Sequence, residues 1–322
     1  MAPRLSTVRR LWLLARICFP LLVFAYLFRR LDGETMRASV ARITFVGALG
    51  CLAGQAAAIA TGLVRWRLLM RAYGAEALPS WLDSARLFLI GAFYNLLPGA
   101  VGGDLVRAYA VRAHFENASV TQSIGVVFVE RVLGLSALLA LSAASATLSP
   151  SLSGPVLAYA LIGLLGSVAA ITAVAAARRI ASVLPPRLAR FFASFPTLRF
   201  PSALMLAALV SVATHLSIAL GGYVLIRDLA PQVSLTDALV SFPLGTLAAY
   251  FPATVAGAGA RDVALVVLFE RVGVARADAL TTSIAMLAAN ITVSGIGGLL
   301  HAFWPPPVIA MPVADEPSAP HA

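Results

Sequence analysis

Six charged residues stand inside or at the edge of long apolar runs: Asp104, Arg107, Glu130, Arg131, Arg261 and Asp262. On insertion scales an acid or arginine at the centre of a spanning helix costs roughly 2.5–3.5 kcal/mol, so each must be paired, wet or engaged with a ligand. Arginine's planar fork is suited to gripping a carboxylate or phosphate through two parallel bonds. Arg107 closes the stretch NLLPGAVGGDLVR, which begins at Asn95, and Arg261 closes AYFPATVAGAGAR, which begins at Ala249. A helix starting just past such a Pro/Gly break offers free N–H groups to an anion. A substrate-binding site for an anionic headgroup could thus be built from Asn95, Asp104, Arg107, Glu130, Arg131, Arg261 and Asp262, with the two arginines facing one cavity. An equally good account is that each arginine pairs with its local acid, Asp104 or Asp262, and fixes the break. Glu130 and Arg131 point roughly 100° apart on a helix, so they cannot satisfy only one another. The expected partners are Arg107 or Arg261 for Glu130, and Asp104 for Arg131, in a charge relay or in a buried network that locks the fold.

Other chemistry has little support. His215 is alone on an apolar helix and is expected to be a packing residue. Cys18 and Cys51 lie in apolar runs and act as small hydrophobes. No His, Cys or carboxylate grouping has metal-ligand spacing, so no metal or cofactor is expected. Gly257-Ala258-Gly259 follows no soluble strand and is a poor nucleotide loop. Asn117-Ala118-Ser119 fits a glycosylation pattern that carries weight only in a secreted chain. No Ser/His/Asp grouping points to an enzyme.

The elements that must position these residues come in two copies. Pro98, Val101, Gly103 and Arg107 recur 154 positions later as Pro252, Val255, Gly257 and Arg261. Upstream, Asp83, Phe88 and Gly91 recur as Asp237, Phe242 and Gly245. An Ala/Leu-rich chain repeats Ala and Leu by chance, but rarely Pro, Gly, Asp and Arg in register, so the spacing implies an internal duplication of units near 81–148 and 235–303. Pro98, Gly102, Gly103, Pro252, Gly257 and Gly259 are the expected helix breaks. From Ser84 to Leu97 there are about 14 residues, roughly 21 Å of helix, against a hydrocarbon core of roughly 30 Å. A re-entrant half-helix is expected there, and a second over Leu235–Phe251.

The chain is 60% hydrophobic and 12% charged, with mean hydropathy +0.89, which belongs to an integral membrane protein. Its net charge of +10 comes from arginines alone; the sequence has no lysine. Because these arginines punctuate apolar runs, they point to cytoplasmic anchoring and anionic lipid contact rather than nucleic acid. Expected spans are Leu11–Phe28 (uncleaved, N-terminus cytoplasmic), Thr44–Val64, Val120–Leu148, Val156–Ala177, Ser202–Ile226 and Asp278–Phe303. Gly50 and Gly54 suit close helix packing, and Arg65, Arg67 and Arg71 mark a cytoplasmic edge. Residues 305–322 form a Pro/Ala-rich tail expected to be disordered. Three spans separate the two short segments, so the second copy enters from the opposite face. The expected architecture is an all-α polytopic inner-membrane protein of about six to eight helices, with two broken helices in an inverted repeat.

NLLPGAVGGDLVRAY, FVERVLGLSALL and FPATVAGAGARDVAL together resemble the flippase-like membrane region of lysylphosphatidylglycerol synthases, over residues 10 to 303. That resemblance implies the fold, places Asp104, Arg107, Glu130, Arg131, Arg261 and Asp262 on the family's polar motif positions, and implies movement of a lipid between leaflets. No soluble synthase domain follows Trp304, so aminoacylation is not implied. Three functions stay open: a lipid transporter, a non-transporting scaffold for a lipid, hopanoid or glycan enzyme, and a membrane transferase. Partners to expect are membrane lipids with anionic headgroups, a second copy of the chain, or a pathway enzyme.

Overall fold

The start of each short helix is set by the same side chains. Ser80 Oγ accepts the Asp83 N–H at 3.1 Å and donates to Asp83 Oδ2 at 2.6 Å. At the matching positions Ser234 Oγ accepts the Asp237 N–H at 3.1 Å and donates to Asp237 Oδ2 at 2.6 Å. A serine and an acid three residues on satisfy the N–H groups that a helix start leaves orphaned. In the second copy Ser149 Oγ also donates to Asp237 at 2.6 Å.

The computed structural model describes residues 33–75, 77–96, 102–115, 120–176, 185–186, 189, 197–249 and 259–304. Among these, the helices are α1 (Gly33–Ala41), α2 (Phe45–Ala72), α3 (Trp81–Leu96), α4 (Gly102–Val111), α5 (Val120–Ala146), α6 (Pro155–Ala175), α7 (Pro201–Leu229), α8 (Leu235–Ala249), α9 (Ala260–Glu270) and α10 (Arg276–Phe303). A short 3₁₀ turn, Arg112–His114, follows α4. The chain is all-α, and α2, α5, α6, α7 and α10 are long and apolar enough to cross a membrane. The expected span Leu11–Phe28, the tail 305–322, and Pro98, Pro252 and Gly257 lie outside the described residues. At 16 and 15 residues, α3 and α8 reach only about 24 and 22 Å, short of a bilayer core.

A shift of 154 residues carries α2–α3–α4–α5 onto α7–α8–α9–α10, each set running long, short, short, long. The packing follows the same correspondence. Helix α3 packs on α10 as α8 packs on α5, α2 on α5 as α7 on α10, and α2 on α10 as α7 on α5. Each set therefore closes over an element of the other. The most extensive contact is between α2 and α7. Gly54 faces Gly221 and the Ser217 carbonyl, Gly50 faces Val224, and Thr214 Oγ1 donates to Thr61 Oγ1 at 2.9 Å. Positions rise along α2 as they fall along α7, so these matching helices run antiparallel. A Cβ on Gly54 would sit 2.6 Å from the Ser217 carbonyl oxygen, which explains why glycine holds this contact.

The outward faces are apolar: Phe45, Ile162, Leu165, Met205 and Leu209 are all more than 60% exposed. On a water-facing surface such a patch would be a liability; facing lipid it is not. Helix α5 is the most enclosed span, with 61% of its apolar window buried. It packs against α2, α4, α6, α7 and α8, and it is the helix that carries Glu130 and Arg131.

Candidate functional site

The hairpin α3–α4 is held together backbone against backbone. Gly103 lies against the Gly91 carbonyl, leaving no room for a side chain. This closeness lets Asn95 Oδ1 accept the Gly103 N–H at 3.1 Å, one of the orphan donors of the α4 start. Asn95 Nδ2 then donates to Asp104 Oδ1 at 3.3 Å. The glycine pair and the asparagine thus fix where Asp104 and Arg107 point.

From Asp104 an ion-pair chain runs across three helices. Arg107 Nη2 donates to Asp104 Oδ1 at 2.6 Å. Arg131 reaches Asp104 Oδ2 through Nε at 2.8 Å and Nη2 at 2.5 Å. Arg107 Nη1 lies 3.2 Å from Glu130 Oε2, and Arg65 Nη2 donates to Glu130 Oε1 at 2.9 Å. Arg107 is 5% exposed and stacks over the rings of Phe88 and Trp66, at 4.7 and 5.4 Å. Three guanidinium groups therefore face two carboxylates, leaving one net positive charge in a largely buried place.

These side chains line a cavity of about 300 Å³ together with Asn95, and the second set of helices supplies Thr246 from α8 and Asn290 and Ser294 from α10. Five of the seven residues singled out from the sequence meet there: Asn95, Asp104, Arg107, Glu130 and Arg131. The expected pairings of Glu130 with Arg107 and of Arg131 with Asp104 are both present.

Arg261 and Asp262 are not among its described lining residues. Arg261 Nη2 donates to Asp262 Oδ1 at 3.0 Å and to the Ser283 carbonyl at 3.2 Å, while its Nε reaches Ser283 Oγ at 3.2 Å. Asp262 Oδ2 accepts the N–H of Gly259, whose φ of 85° favours glycine. This second cluster pins the start of α9 to α10. The local-pairing account is what the geometry gives Arg261; Arg107 pairs locally and reaches Glu130 as well.

Sequence reasoning missed Arg65 as a site residue. With Arg67 and Arg71 it looked like the end of a span, yet α2 continues to Ala72 and Arg65 turns inward to Glu130. The signal was a buried acid needing more than one partner. Thr246, Asn290 and Ser294 were also missed, since single small polar residues on a span carry no pattern of their own. His215 is 5% exposed and sits on α7 beside the Gly134 backbone of α5, a packing position outside the cavity lining.

An all-helical, multi-pass membrane protein with a charged cavity between two matching helix sets is the class that these features define. Residues 12–298 match the profile described as Lysylphosphatidylglycerol synthase TM region, and the chain belongs to that family. No curated protein and no solved structure matches it.

Proposed function

We propose that the protein moves a lipid, or a lipid-linked anionic headgroup, between the leaflets of the inner membrane. The observation that carries this reading is the cavity between the two helix sets, whose ion-pair chain leaves one guanidinium charge in excess. Membership of a family tied to lipid chemistry supports a lipid cargo. Corresponding helices α2 and α7 run antiparallel, which favours an inverted repeat with its two halves entering from opposite faces. Such a repeat allows the halves to rock about a fixed site and open it to each side in turn. Broken backbone at membrane depth is tolerated where it lines a wet cavity, and α3 and α4 stand beside this one.

The test is leaflet exchange of fluorescent anionic lipids in proteoliposomes, read by quenching the outer leaflet. Wild type speeds exchange over empty vesicles, and Arg107→Ala, recovered as a folded protein, loses most of it. Undiminished exchange in folded Arg107→Ala would remove the site. If purified wild type moves no lipid and instead co-purifies with a lipid- or glycan-modifying enzyme, the protein is a scaffold.

A further inference from the structure

Helix α1 is joined to the first helix set and packed on the second. A short turn of Arg42, Ile43 and Thr44 connects it to α2, yet it lies against the start of α10. Ser39 Oγ donates to Asp278 Oδ1 at 2.7 Å, and Arg42 Nη2 pairs with the same oxygen. Arg42 Nη1 donates to the Leu229 carbonyl at the end of α7, at 3.0 Å. The turn itself is fixed by Thr44, whose N–H and Oγ1 donate to Asp228 Oδ2 at 2.8 and 2.9 Å. The positions that match Arg42 and Asp278 across the 154-residue shift hold Pro196 and Ile124, neither of which carries a charge. This tie therefore belongs to one end of the molecule and is not a consequence of the repeat.

The cavity lies well away from it. Along α10, Asn290 comes roughly 18 Å after Asp278, and along α2, Ile59 comes roughly 22 Å after Thr44. Both helices pass through a packed layer in between. Cys51 on α2 and Met286 on α10 share one apolar cluster with Phe242, Phe269 and Leu280, all less than 5% exposed. The Phe242 and Phe269 rings meet edge to face with centroids 5.2 Å apart, and Phe242 stands one turn before Thr246 of the cavity. Met36 of α1 packs against the same cluster. Cys51 is on the first set and the other four are on the second, so parting α2 from α10 would open the layer. Ser39 and Arg42 span that seam.

Resting on the reading of a transporter, we infer that α1 is a latch: Ser39 and Arg42 hold Asp278 and keep the cavity shut from the Thr44 end, and release of Asp278 lets that end open. The pair has the strength such a part needs. The Arg42 side chain is 48% exposed, so water replaces its bonds when it lets go, and pairs of this kind are weak. Arg107 and Glu130 are only 6% and 4% exposed in their side chains, and breaking a pair so buried strands charge away from water. The buried chain thus keeps the site intact through a cycle in which the latch opens and closes.

Cys51, buried in the layer, reports its opening. The chain has two cysteines, so Cys18→Ser leaves Cys51 as its one thiol. The experiment follows modification of Cys51 by a charged, membrane-impermeant thiol reagent in nanodiscs of the full chain, since a buried group reacts in proportion to its opening. Arg42→Ala and Asp278→Asn are each expected to speed modification about tenfold, the effect of losing one hydrogen bond between charged groups. Arg42→Lys, which keeps the charge, is expected to retain most of the protection. Cys51 as protected in Arg42→Ala as in the parent would overturn the latch. Should Asp278→Asn fail to fold, Arg42→Ala, at a half-exposed site, decides alone. In a second arm, with both native cysteines replaced, Ser39→Cys and Asp278→Cys are joined by a short cleavable thiol crosslinker. Leaflet exchange is expected to stop on linking and to return on cleavage, whereas exchange unchanged by the link would show a merely structural contact and overturn the latch. Cys51 exposed by Arg42→Ala in a protein that exchanges no lipid would sink transport and leave the latch standing.

Discussion

Gly102 and Gly103 are neighbours on the first turn of α4, and the structure assigns them opposite tolerances. A Cβ on Gly103 would meet the Gly91 carbonyl group, its carbon at 2.6 Å, and Asn95 Oδ1 at 2.8 Å. Neither can retreat cheaply: one is backbone of the packed helix α3, and the other caps the Gly103 N–H. A Cβ on Gly102 would meet only the Tyr94 carbonyl oxygen, at 3.7 Å, an ordinary contact. Overpacking costs about 1–3 kcal/mol, and a lost cap adds about 1 kcal/mol. Replacing glycine by alanine within a helix returns about 1 kcal/mol. Gly103→Ala is therefore expected to destabilise by about 1–3 kcal/mol, whereas Gly102→Ala is neutral or stabilising by up to about 1 kcal/mol.

At roughly 2 °C per kcal/mol for a chain of this size, Gly103→Ala melts about 2–6 °C below wild type. Gly102→Ala matches wild type or exceeds it by about 2 °C. The measurement is tryptophan fluorescence of the detergent-solubilised protein during heating, checked by gel filtration after each step. Equal melting of the two variants, or a Gly103→Ala protein as stable as wild type, would refute the close α3–α4 approach and with it the placement of Asp104 and Arg107.

Arg65→Ala removes one of Glu130's two guanidinium partners and leaves Arg107 beside it, so it is expected to cost less than the roughly 3–5 kcal/mol of a fully orphaned buried charge. Adding Glu130→Gln should recover part of that loss, and strict additivity in the double-mutant cycle would deny the Arg65–Glu130 coupling. Ser80→Ala and Ser234→Ala each remove a helix cap and should each lower stability by about 1 kcal/mol in chemical denaturation; Ser234→Ala also leaves Asp237 held by Ser149, so a much larger loss there would show that the cap is not its main role. In a background lacking Cys18 and Cys51, Trp81→Cys and Leu235→Cys occupy matching, exposed positions of the two helix sets. Impermeant thiol reagents are expected to label them from opposite faces of oriented vesicles, and labelling from one face would remove the inverted repeat.

The helix pattern was legible because membrane spans announce themselves by apolar length, and the short α3 and α8 by Pro and Gly at the same offset. The boundaries differ where an arginine in the sequence suggests the edge of a span: α2 runs on to Ala72, past Arg65. Arginine's long stem can carry its charge inward from a helix that continues, as Arg65 does from α2. The ion pairs from Asp104 and Glu130 were legible because an acid and a base on neighbouring apolar elements have few other ways to be satisfied. For Arg261 the sequence leaves two accounts, the shared cavity, suggested by a place in the repeat that matches Arg107, and local pairing with Asp262. Repetition of backbone position does not carry repetition of surroundings: Asp262, next in sequence, and Ser283, on α10, take its donors instead.

That difference extends to the whole site. At the positions 154 residues beyond Arg65, Asn95, Asp104, Glu130 and Arg131 stand Ala219, Ala249, Ala258, Ile284 and Ala285. The second set thus keeps the Pro/Gly framework and Arg261 but none of the other charged partners. Its share of the cavity is instead the neutral group Thr246, Asn290 and Ser294. Two sets alike in backbone can exchange roles in a rocking motion, since each has the same short helices packed on the other's long one. Two copies of the charged network would require two buried ion-pair chains, each with its own desolvation cost, and on the proposed reading would give two competing anion sites. On the proposed reading, retaining the charges on one set and hydrogen-bonding groups on the other leaves one site, lined from its two walls by different chemistry. Under the proposed reading, restoring Asp and Arg in the second set by Ala258→Asp and Ala285→Arg should therefore slow lipid exchange rather than speed it, while exchange faster than wild type would contradict a single site.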